Sequence, residues 1–298
     1  MEFVATLIAA SPGGLDNAIV AEVGSRLKAL GAETGRPDWL ADQLACDLGF
    51  DGLSPDQADA AARGALGGLA IDVVAQAAGG RKKKLLVADM DSTIVTTETL
   101  TDVAKSAGLR DVIDDITTRT MRGELDFARS LRERVGMLKG LDAGALDDAY
   151  ARIEISPGAE TLVRTMRAAG AHTALVSGGF TYFTGRIAAR VGFHENHAND
   201  FIIEDGKLTG LVKEPILSRE AKMETLVRLA KERRLTLAET AAIGDGSNDL
   251  EMVQAAGLGC SYRGKPILRD AARVKLDHAN LTGLLFAQGY RAADFVIT

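Results

Sequence analysis

The 298-residue sequence has little cysteine, no long apolar run and no excess of basic side chains. Its two cysteines, Cys46 and Cys260, are too few for a disulfide framework and lack metal-ligand spacing, which favours a reducing compartment. No apolar stretch approaches the ~20 residues that span a bilayer, and Met1-Glu2-Phe3 lacks the basic residues of a signal peptide. We therefore expect a soluble, cytoplasmic protein.

Basic side chains are outnumbered, with 35 lysines and arginines against 41 aspartates and glutamates. Nucleic acids and anionic membranes are bound by clustered excess Lys and Arg, so the sequence predicts neither as a partner. The one basic run, Arg81-Lys82-Lys83-Lys84, is interpreted as a solvated linker face. The length suits two domains, and a hydrophobic content of 46% is typical of a globular protein.

Residues 1–80 are predicted to form a small α+β domain. Strand-like segments lie at 3–8, 39–50 and 70–77, and Ser54-Pro55-Asp56-Gln57 is typical of a helix start. The order strand, helix, strands, helix, strand is that of a ferredoxin-like module. In layout it resembles ACT-type amino-acid-binding domains.

Residues 81–298 are predicted to form a doubly wound α/β domain with a mainly parallel sheet. Apolar runs at 85–88, 173–176 and 240–243 are separated by helical stretches, which is typical of strands buried on both faces. Each run ends in a polar cluster, and ligands of such sheets bind outside the carboxyl ends of the strands. We therefore expect one sheet edge to gather the side chains of Asp89, Asp91, Ser177, Asp245 and Asp249.

Residues 98–155 interrupt this alternation. They are rich in charge and helical pattern without a comparable apolar run, and are interpreted as a helical cap inserted at the active edge, where it can act as a lid. Further on, Glu204-Asp205-Gly206-Lys207 between apolar stretches predicts a hairpin turn.

The polar clusters at the strand ends contain the candidate catalytic and metal-binding residues. In Asp89-Met90-Asp91-Ser92-Thr93 one carboxylate can attack while the other exchanges a proton. The segment 244–249 adds two more aspartates, Asp245 and Asp249, and two glycines. Carboxylates ~5 Å apart repel by roughly 3 kcal/mol at an effective dielectric of ~20, so such a cluster calls for a divalent cation. Oxygen ligands favour Mg²⁺.

Other residues suit anion binding or are set aside. The Ser177 hydroxyl and the amides of Ser177-Gly178-Gly179 can donate to phosphate oxygens, and Lys222 is a candidate counter-charge. His194 and His197 are interpreted as part of a surface loop, because a third metal ligand is not obvious.

These motifs carry a resemblance. Asp89-x-Asp91-Ser92-Thr93, Ser177, Lys222 and Gly244-Asp245-Gly246-x-Asn248-Asp249 match the four motifs of the haloacid dehalogenase-like phosphatases in order and spacing. The match covers about residues 81–298. Glu98 and the segment 121–135 resemble the cap signature of the phosphoserine phosphatase family.

The resemblance implies catalytic and metal roles. Asp89 attacks phosphorus to form an aspartyl-phosphate, and Asp91 protonates the leaving oxygen and then activates water. Mg²⁺ is held by the carboxylates of Asp89 and Asp245 and the carbonyl of Asp91, and Asp249 supports these ligands. The implied reaction is hydrolysis of O-phosphoserine to serine and phosphate, the last step of serine biosynthesis.

The resemblance also implies how the substrate is held. Its phosphoryl oxygens contact Ser177, the Gly178 amide, Lys222 and Asn248. Its ammonium meets Glu98 and its carboxylate meets Arg134, since arginine suits a planar carboxylate. Met121 and Phe127 either wall this pocket or belong to the core of the cap.

Alternatives remain at this stage. One is a phosphotransferase, or a phosphatase acting on another small phosphoester. Another is a regulatory protein with a silent site, in which residues 1–80 bind an amino-acid effector. Those residues could equally be a structural module that forms a homodimer.

Overall fold

A four-stranded sheet, a six-stranded sheet and a two-stranded hairpin organise the described part of the chain. The computed structural model describes residues 1–121, 124–218 and 220–297, without the side chain of Met121. Within these residues, no helix is long and apolar enough to cross a membrane.

The N-terminal unit is a four-stranded antiparallel sheet with two helices. Its elements are β1 (Phe3–Ala9), α1 (Asn17–Ala29), β2 (Glu33–Ala41), β3 (Ala45–Asp51), α2 (Pro55–Leu66) and β4 (Ile71–Ala77). The strand order is β2-β3-β1-β4, and both helices share one apolar core with the sheet. Helix α2 begins with reciprocal hydrogen bonds between Ser54 and Gln57, as predicted. The element order is the predicted ferredoxin-like one, while the likeness to amino-acid-binding domains stays a prediction.

The rest of the chain is built on a six-stranded parallel sheet. The elements are β5 (Leu85–Ala88), α3 (Thr99–Ser106), α4 (Arg110–Met121), α5 (Phe127–Gly136), α6 (Gly144–Ala151), α7 (Ala159–Ala168), β6 (His172–Phe180), α8 (Thr181–Val191), β7 (Glu195–Asn199), β8 (Phe201–Glu204), β9 (Lys207–Val212), α9 (Ala221–Glu232), β10 (Thr240–Gly244), α10 (Leu250–Ala255), β11 (Leu258–Tyr262), α11 (Pro266–Ala271), β12 (Val274–Leu276) and α12 (Gly283–Ala287). The strand order is β12-β11-β10-β5-β6-β7, so the three predicted strands form the centre of the sheet.

Burial on both faces explains the continuous apolar runs. Leu85 and Val87 of β5 pack in a core with residues of α9, α10 and α11. Leu86 and Ala88 point to the opposite face and pack in a core with residues of α7, α8 and α12. Because every position of β5 faces one core or the other, the strand has no polar alternation.

Helices α3 to α6 form the predicted insertion between β5 and α7. Its two ends lie side by side, with Val95 paired antiparallel to Ile155 and the Thr96 amide donating to the Glu154 carbonyl at 3.0 Å. The predicted hairpin is formed by β8 and β9. Its turn residues Asp205 and Gly206 have φ values of 48° and 74°, a left-handed pair that suits a two-residue hairpin turn.

The basic run before β5 is not a solvated face, so that interpretation is wrong. The Arg81 guanidinium donates to the buried Asp47 carboxylate at 2.7 Å. Lys83 is buried and its ammonium donates to the Ala238 carbonyl at 2.8 Å. Only about half of the run stays solvated, because the N-terminal unit covers Arg81 and the segment before β10 covers Lys83.

A buried carboxylate joins the N-terminal unit to the chain after β12. Asp72 of β4 is fully buried and accepts hydrogen bonds from the amides of Asp277 at 3.1 Å, His278 at 3.2 Å and Ala279 at 2.8 Å. A second link is the ion pair between Arg273 and Asp56, whose carboxylate side chain is 81% exposed. Both links join the N-terminal unit to residues next to β12, and they differ in burial.

We expect Asp72→Ala to lower the free energy of unfolding by about 3 kcal/mol, because it leaves three backbone donors without their acceptor. Urea denaturation measures this loss. Asp56→Ala is the matched control and should change stability little, since exposed ion pairs contribute little. Equal effects of the two substitutions would show that the Asp72 contacts are not what joins the unit to the chain.

Candidate active site

The carboxyl ends of β5, β6 and β10 bring the predicted residues together. The Asp89 amide donates to the Ile243 carbonyl at 3.0 Å, which continues the pairing of β5 with β10 one residue beyond β5. The chain then turns at Ser92, whose φ of 54° lies in the left-handed region, and this turn leaves Asp91 facing the same cavity. Asp89 and Asp91, two residues apart in the sequence, therefore line the same cavity.

Lys222 lies between two buried carboxylates. Its ammonium, at the start of α9, is 2.8 Å from Asp89 Oδ1 and 2.6 Å from Asp249 Oδ1. Burial acts to lower the pKa of Lys222, but the charges of Asp249 and Asp89 outweigh it and raise the pKa. Lys222 therefore carries a positive charge at neutral pH. It is the predicted counter-charge, and its two partners are Asp89 and Asp249.

The segment after β10 is shaped by Asp249. Its Oδ2 accepts hydrogen bonds from the amides of Asp245 at 3.2 Å and Gly246 at 3.0 Å. A Cβ atom on Gly244 would lie 2.2 Å from the Asp249 carboxylate carbon, so no side chain fits there. The glycine thus allows Asp249 to hold the turn that presents Asp245.

Three carboxylates form an acidic cluster. Oxygen atoms of Asp89, Asp245 and Asp249 lie within 4.8 Å of one another. Burial, followed by the charge of Asp249, raises the pKa of Asp89 well above its usual value and the pKa of Asp245 to about 7. Lys222 balances only part of this negative charge. The cluster of hard oxygen donors fits a divalent cation such as Mg²⁺.

Asp91 has different neighbours. Its Oδ1 accepts the Thr99 amide at 2.9 Å, at the first residue of α3, and its Oδ2 accepts the Ser177 hydroxyl at 3.3 Å. Burial and then the charge of Glu98 raise the pKa of Asp91 to about 7. A carboxyl group with such a pKa can both give and take a proton near neutral pH.

The last part of β6, residues 177–180, pairs irregularly with β7 and is held by a residue that the sequence reasoning missed. The buried Asn199, at the end of β7, donates to the Gly178 carbonyl at 3.0 Å and accepts the Leu217 amide at 2.7 Å. A Cβ atom on Gly178 would lie 2.9 Å from the ring of Phe127, so the glycine also lets the cap approach closely. The signal in the sequence was weak, since an asparagine beside Asp200 is typical of any strand end.

Cap and sheet edge enclose one cavity of about 400 Å³. The predicted residues that line it are Asp89, Asp91, Glu98, Phe127, Arg134, Ser177, Gly178, Asp245 and Asn248. Lys222 and Asp249 lie behind Asp89, in contact with it or with each other. The side chain of Met121 lies outside the described residues.

Opposite charges face each other in the cap part of the cavity. The Glu98 carboxylate accepts the Ser92 hydroxyl at 2.8 Å. Arg134 is half-buried, and its Nη1 donates to Thr117 Oγ1 at 3.1 Å. Burial lowers the pKa of Arg134, whereas the charges of Glu98 and Asp91 oppose that shift. One anionic and one cationic group thus lie in the same cavity as Ser177 and Gly178.

The histidines lie elsewhere. His197 is on β7 rather than in a surface loop, so the loop interpretation is wrong for it, and its Nε2 is 2.8 Å from Glu195. His194 precedes β7 and its Nδ1 accepts the Thr173 amide at 3.2 Å. Neither residue lines the cavity.

Comparison with known proteins defines the class. A family model described as haloacid dehalogenase-like hydrolase matches residues 86–254, which is more than half of the chain. A phosphoserine phosphatase of Methanocaldococcus jannaschii is 38% identical over 205 residues, covering 69% of this chain and 97% of that protein. The chain spans 51% to 64% of the length of several other curated relatives that it matches. It belongs to the haloacid dehalogenase-like hydrolase family, and within it to the phosphoserine phosphatases.

Solved structures show the same relationship. A probable phosphoserine phosphatase from Vibrio cholerae is 28% identical with a TM-score of 0.79, covering 98% of this chain and 88% of that one. A structure described as a phospho-aspartyl intermediate analogue of phosphoserine phosphatase is 38% identical with a TM-score of 0.65, covering 69% of this chain and 98% of that one. The likeness to the first therefore extends over the N-terminal unit as well as the parallel sheet.

Lys222→Met should lower the free energy of unfolding by about 3 kcal/mol in metal-free buffer, because it leaves two buried carboxylates without their counter-charge. Urea denaturation provides the measurement. Lys231→Met is the matched control, since Lys231 is on the same helix and exposed, and we expect little change from it. A Lys222→Met protein as stable as the wild type would contradict the balance of charge described for this cluster.

Proposed function

We propose that the protein is a Mg²⁺-dependent phosphatase that hydrolyses O-phosphoserine to serine and phosphate. The observation that carries the proposal is the position of Glu98 and Arg134 in the same cavity as Asp89 and Ser177. An amino acid has an ammonium and a carboxylate, and the two cap residues offer the complementary charges. A sugar phosphate would use neither of them.

Asp89 is the proposed nucleophile. Lys222 and the Met90 amide both contact its Oδ1, at 2.8 Å each, so Oδ2 is the oxygen left to attack phosphorus. A bond forms between this oxygen and phosphorus as the bond from phosphorus to the serine oxygen breaks. The phospho-aspartyl analogue in a 38% identical structure supports this assignment.

Asp91 is the proposed acid and base. With a pKa of about 7 it can be protonated when substrate binds, and it gives this proton to the departing serine oxygen. The resulting carboxylate then takes a proton from the water that attacks the aspartyl-phosphate. Inorganic phosphate leaves, Asp89 is regenerated, and Asp91 is protonated again.

The negative charge of the transferred group needs donors. Lys222 has three N–H donors and uses two of them for Asp89 and Asp249, which leaves one for a phosphoryl oxygen. Ser177, the Gly178 amide and Asn248 are the other proposed donors. The Ser177 hydroxyl has one proton and donates it to Asp91 in this structure, so it would redirect this hydrogen bond to a phosphoryl oxygen when substrate binds.

We assign the metal to the acidic cluster. The carboxylates of Asp89 and Asp245 and the carbonyl of Asp91 would hold Mg²⁺, while Asp249 orients Asp245 through the amides that it accepts. When bound, the ion neutralises the cluster and draws charge from the phosphoryl oxygens. With the repulsion among the carboxylates reduced in this way, Asp89 could stay ionised in its buried position and act as the nucleophile.

The wider assignments rest on the same proposal. Hydrolysis of phosphoserine would be the last step of serine biosynthesis, in the cytoplasm, where the buried free thiols of Cys46 and Cys260 stay reduced. We further propose a division into a domain of residues 1–80 and a catalytic domain of residues 81–298, with a cap at about 98–155. The N-terminal domain would serve as an effector site or in a homodimer.

Phosphate release from a panel of phosphorylated amino acids, amines and sugars tests the substrate assignment. We expect O-phosphoserine to be preferred to phosphoethanolamine, which lacks the carboxylate. Arg134→Ala should remove most of that preference, about 100-fold in kcat/KM, because it deletes a charge-assisted pair. Arg132→Ala is the control, since Arg132 lies on the same helix but pairs with Glu214 at the surface. A wild type that prefers a sugar phosphate would overturn the assignment.

Asp89→Asn should lower kcat by at least about a thousandfold without loss of stability, because the amide keeps the shape of the side chain and reduces repulsion in the cluster. Phosphate release and thermal unfolding measure the two effects. Chelation of divalent cations should stop turnover of the wild type, and added Mg²⁺ should restore it. Trapped phosphate on a residue other than Asp89 in mass spectrometry would reject the covalent mechanism.

A further inference from the structure

The guanidinium of Arg134 is held in place by two contacts within the cap. Its Nη1 donates to Thr117 Oγ1 at 3.1 Å, and its Nε donates to the Ser130 carbonyl at 3.3 Å. Thr117 is on α4, whereas Ser130 and Arg134 are on α5. The orientation of the guanidinium thus depends on one contact from its own helix and one from the neighbouring helix.

The direction of the hydrogen bond at Thr117 is fixed. Its hydroxyl donates to the Ile113 carbonyl one turn earlier at 2.8 Å. A hydroxyl has one proton, so the oxygen offers only lone pairs to Arg134 and acts as an acceptor. The branched threonine side chain is also limited in rotation within a helix. Thr117 is therefore a rigid acceptor aimed at Nη1.

These contacts leave part of the guanidinium available. Arginine has five N–H donors, and among the described residues Thr117 and the Ser130 carbonyl take one each on different nitrogens. The donors that remain on Nη1 and Nη2 include the pair that binds a carboxylate in a bidentate manner. Because both Thr117 and Arg134 line the cavity, this pair is held at the site and not in the interior of the cap.

We propose that Thr117 is a positioning residue that orients Arg134 for the carboxylate of the substrate and thereby sets the preference for amino-acid phosphoesters. The inference rests on the proposed function and adds the residue that orients Arg134 towards substrates with a carboxylate. A free arginine would lose side-chain entropy on binding a carboxylate, and Thr117 reduces that cost before substrate arrives.

The chain contains a matched comparison for Thr117. Thr120 is on the same helix and makes the same kind of bond, to the Ile116 carbonyl at 2.7 Å. Its second contact is Ser130 Oγ at 2.5 Å, and not a guanidinium. Thr120 therefore shares the helix, the residue type and the seam between α4 and α5, but differs in what it contacts.

The test compares Thr117→Val, Thr117→Ser and Thr120→Val on O-phosphoserine and phosphoethanolamine. Thr117→Val should raise KM for phosphoserine about tenfold, the effect of losing one hydrogen bond to a charged group, with kcat within about twofold. Its kinetics with phosphoethanolamine should stay near those of the wild type. Thr117→Ser should recover most of the loss. Thr120→Val should leave the ratio of kcat/KM for the two substrates unchanged.

A double substitution separates positioning from general damage. In the Arg134→Ala background, Thr117→Val should have no further effect on selectivity, because the group that it orients is gone. Equal losses of Thr117→Val on both substrates, or a Thr117→Val enzyme as selective as the wild type, would overturn the inference and leave the proposed function intact. A wild type that handles both substrates equally would instead reject the proposed function, and the inference with it.

Discussion

The repulsion among buried carboxylates at the edge of the parallel sheet is the constraint on which the rest of the site depends. Asp89, Asp245 and Asp249 crowd within 4.8 Å, and Lys222 compensates only part of their charge. Without a bound cation, such a cluster destabilises the folded protein, since ionised groups lose hydration on burial. A bound cation would reduce this cost, because it would supply the positive charge that Lys222 alone does not. The pKa values of Asp89 and Asp245 are raised because both groups are buried and the negative charge of the cluster is not fully compensated.

The backbone keeps these charges close although they come from distant parts of the sequence. Parallel pairing of β5 with β6 and β10 places three strand ends side by side. Glycine then removes the steric obstacles, at Gly244 against Asp249 and at Gly178 against Phe127. Across the cavity, Glu98 and Arg134 are held by hydroxyl groups, which fix direction without adding charge. The sheet edge thus carries the acidic cluster, and the cap side of the cavity carries one anionic and one cationic group.

Features encoded over a few residues could be predicted from the sequence. The runs before Asp89, Ser177 and Asp245 are buried strands on both faces, and this local pattern identified the centre of the sheet and the residues at its edge. Features that depend on packing between remote segments could not be predicted. The role of Asn199 requires the end of β7 to lie beside Gly178, and the burial of Lys83 requires the segment before β10 to cover it. A basic run has the same appearance in sequence whether solvent or a carbonyl group surrounds it.

The amides that surround Asp72 have a consequence for how such a chain can be shortened. Ile8, Leu40 and Val74 of the N-terminal unit share one apolar core with Leu86 of the parallel sheet. A deletion ending before β5 would therefore remove the carboxylate from its backbone cradle and strip one side of that core at the same time. The first eighty residues are integral to this architecture, and a minimal version of the protein would need a redesigned loop after β12 together with new polar side chains on the uncovered surface.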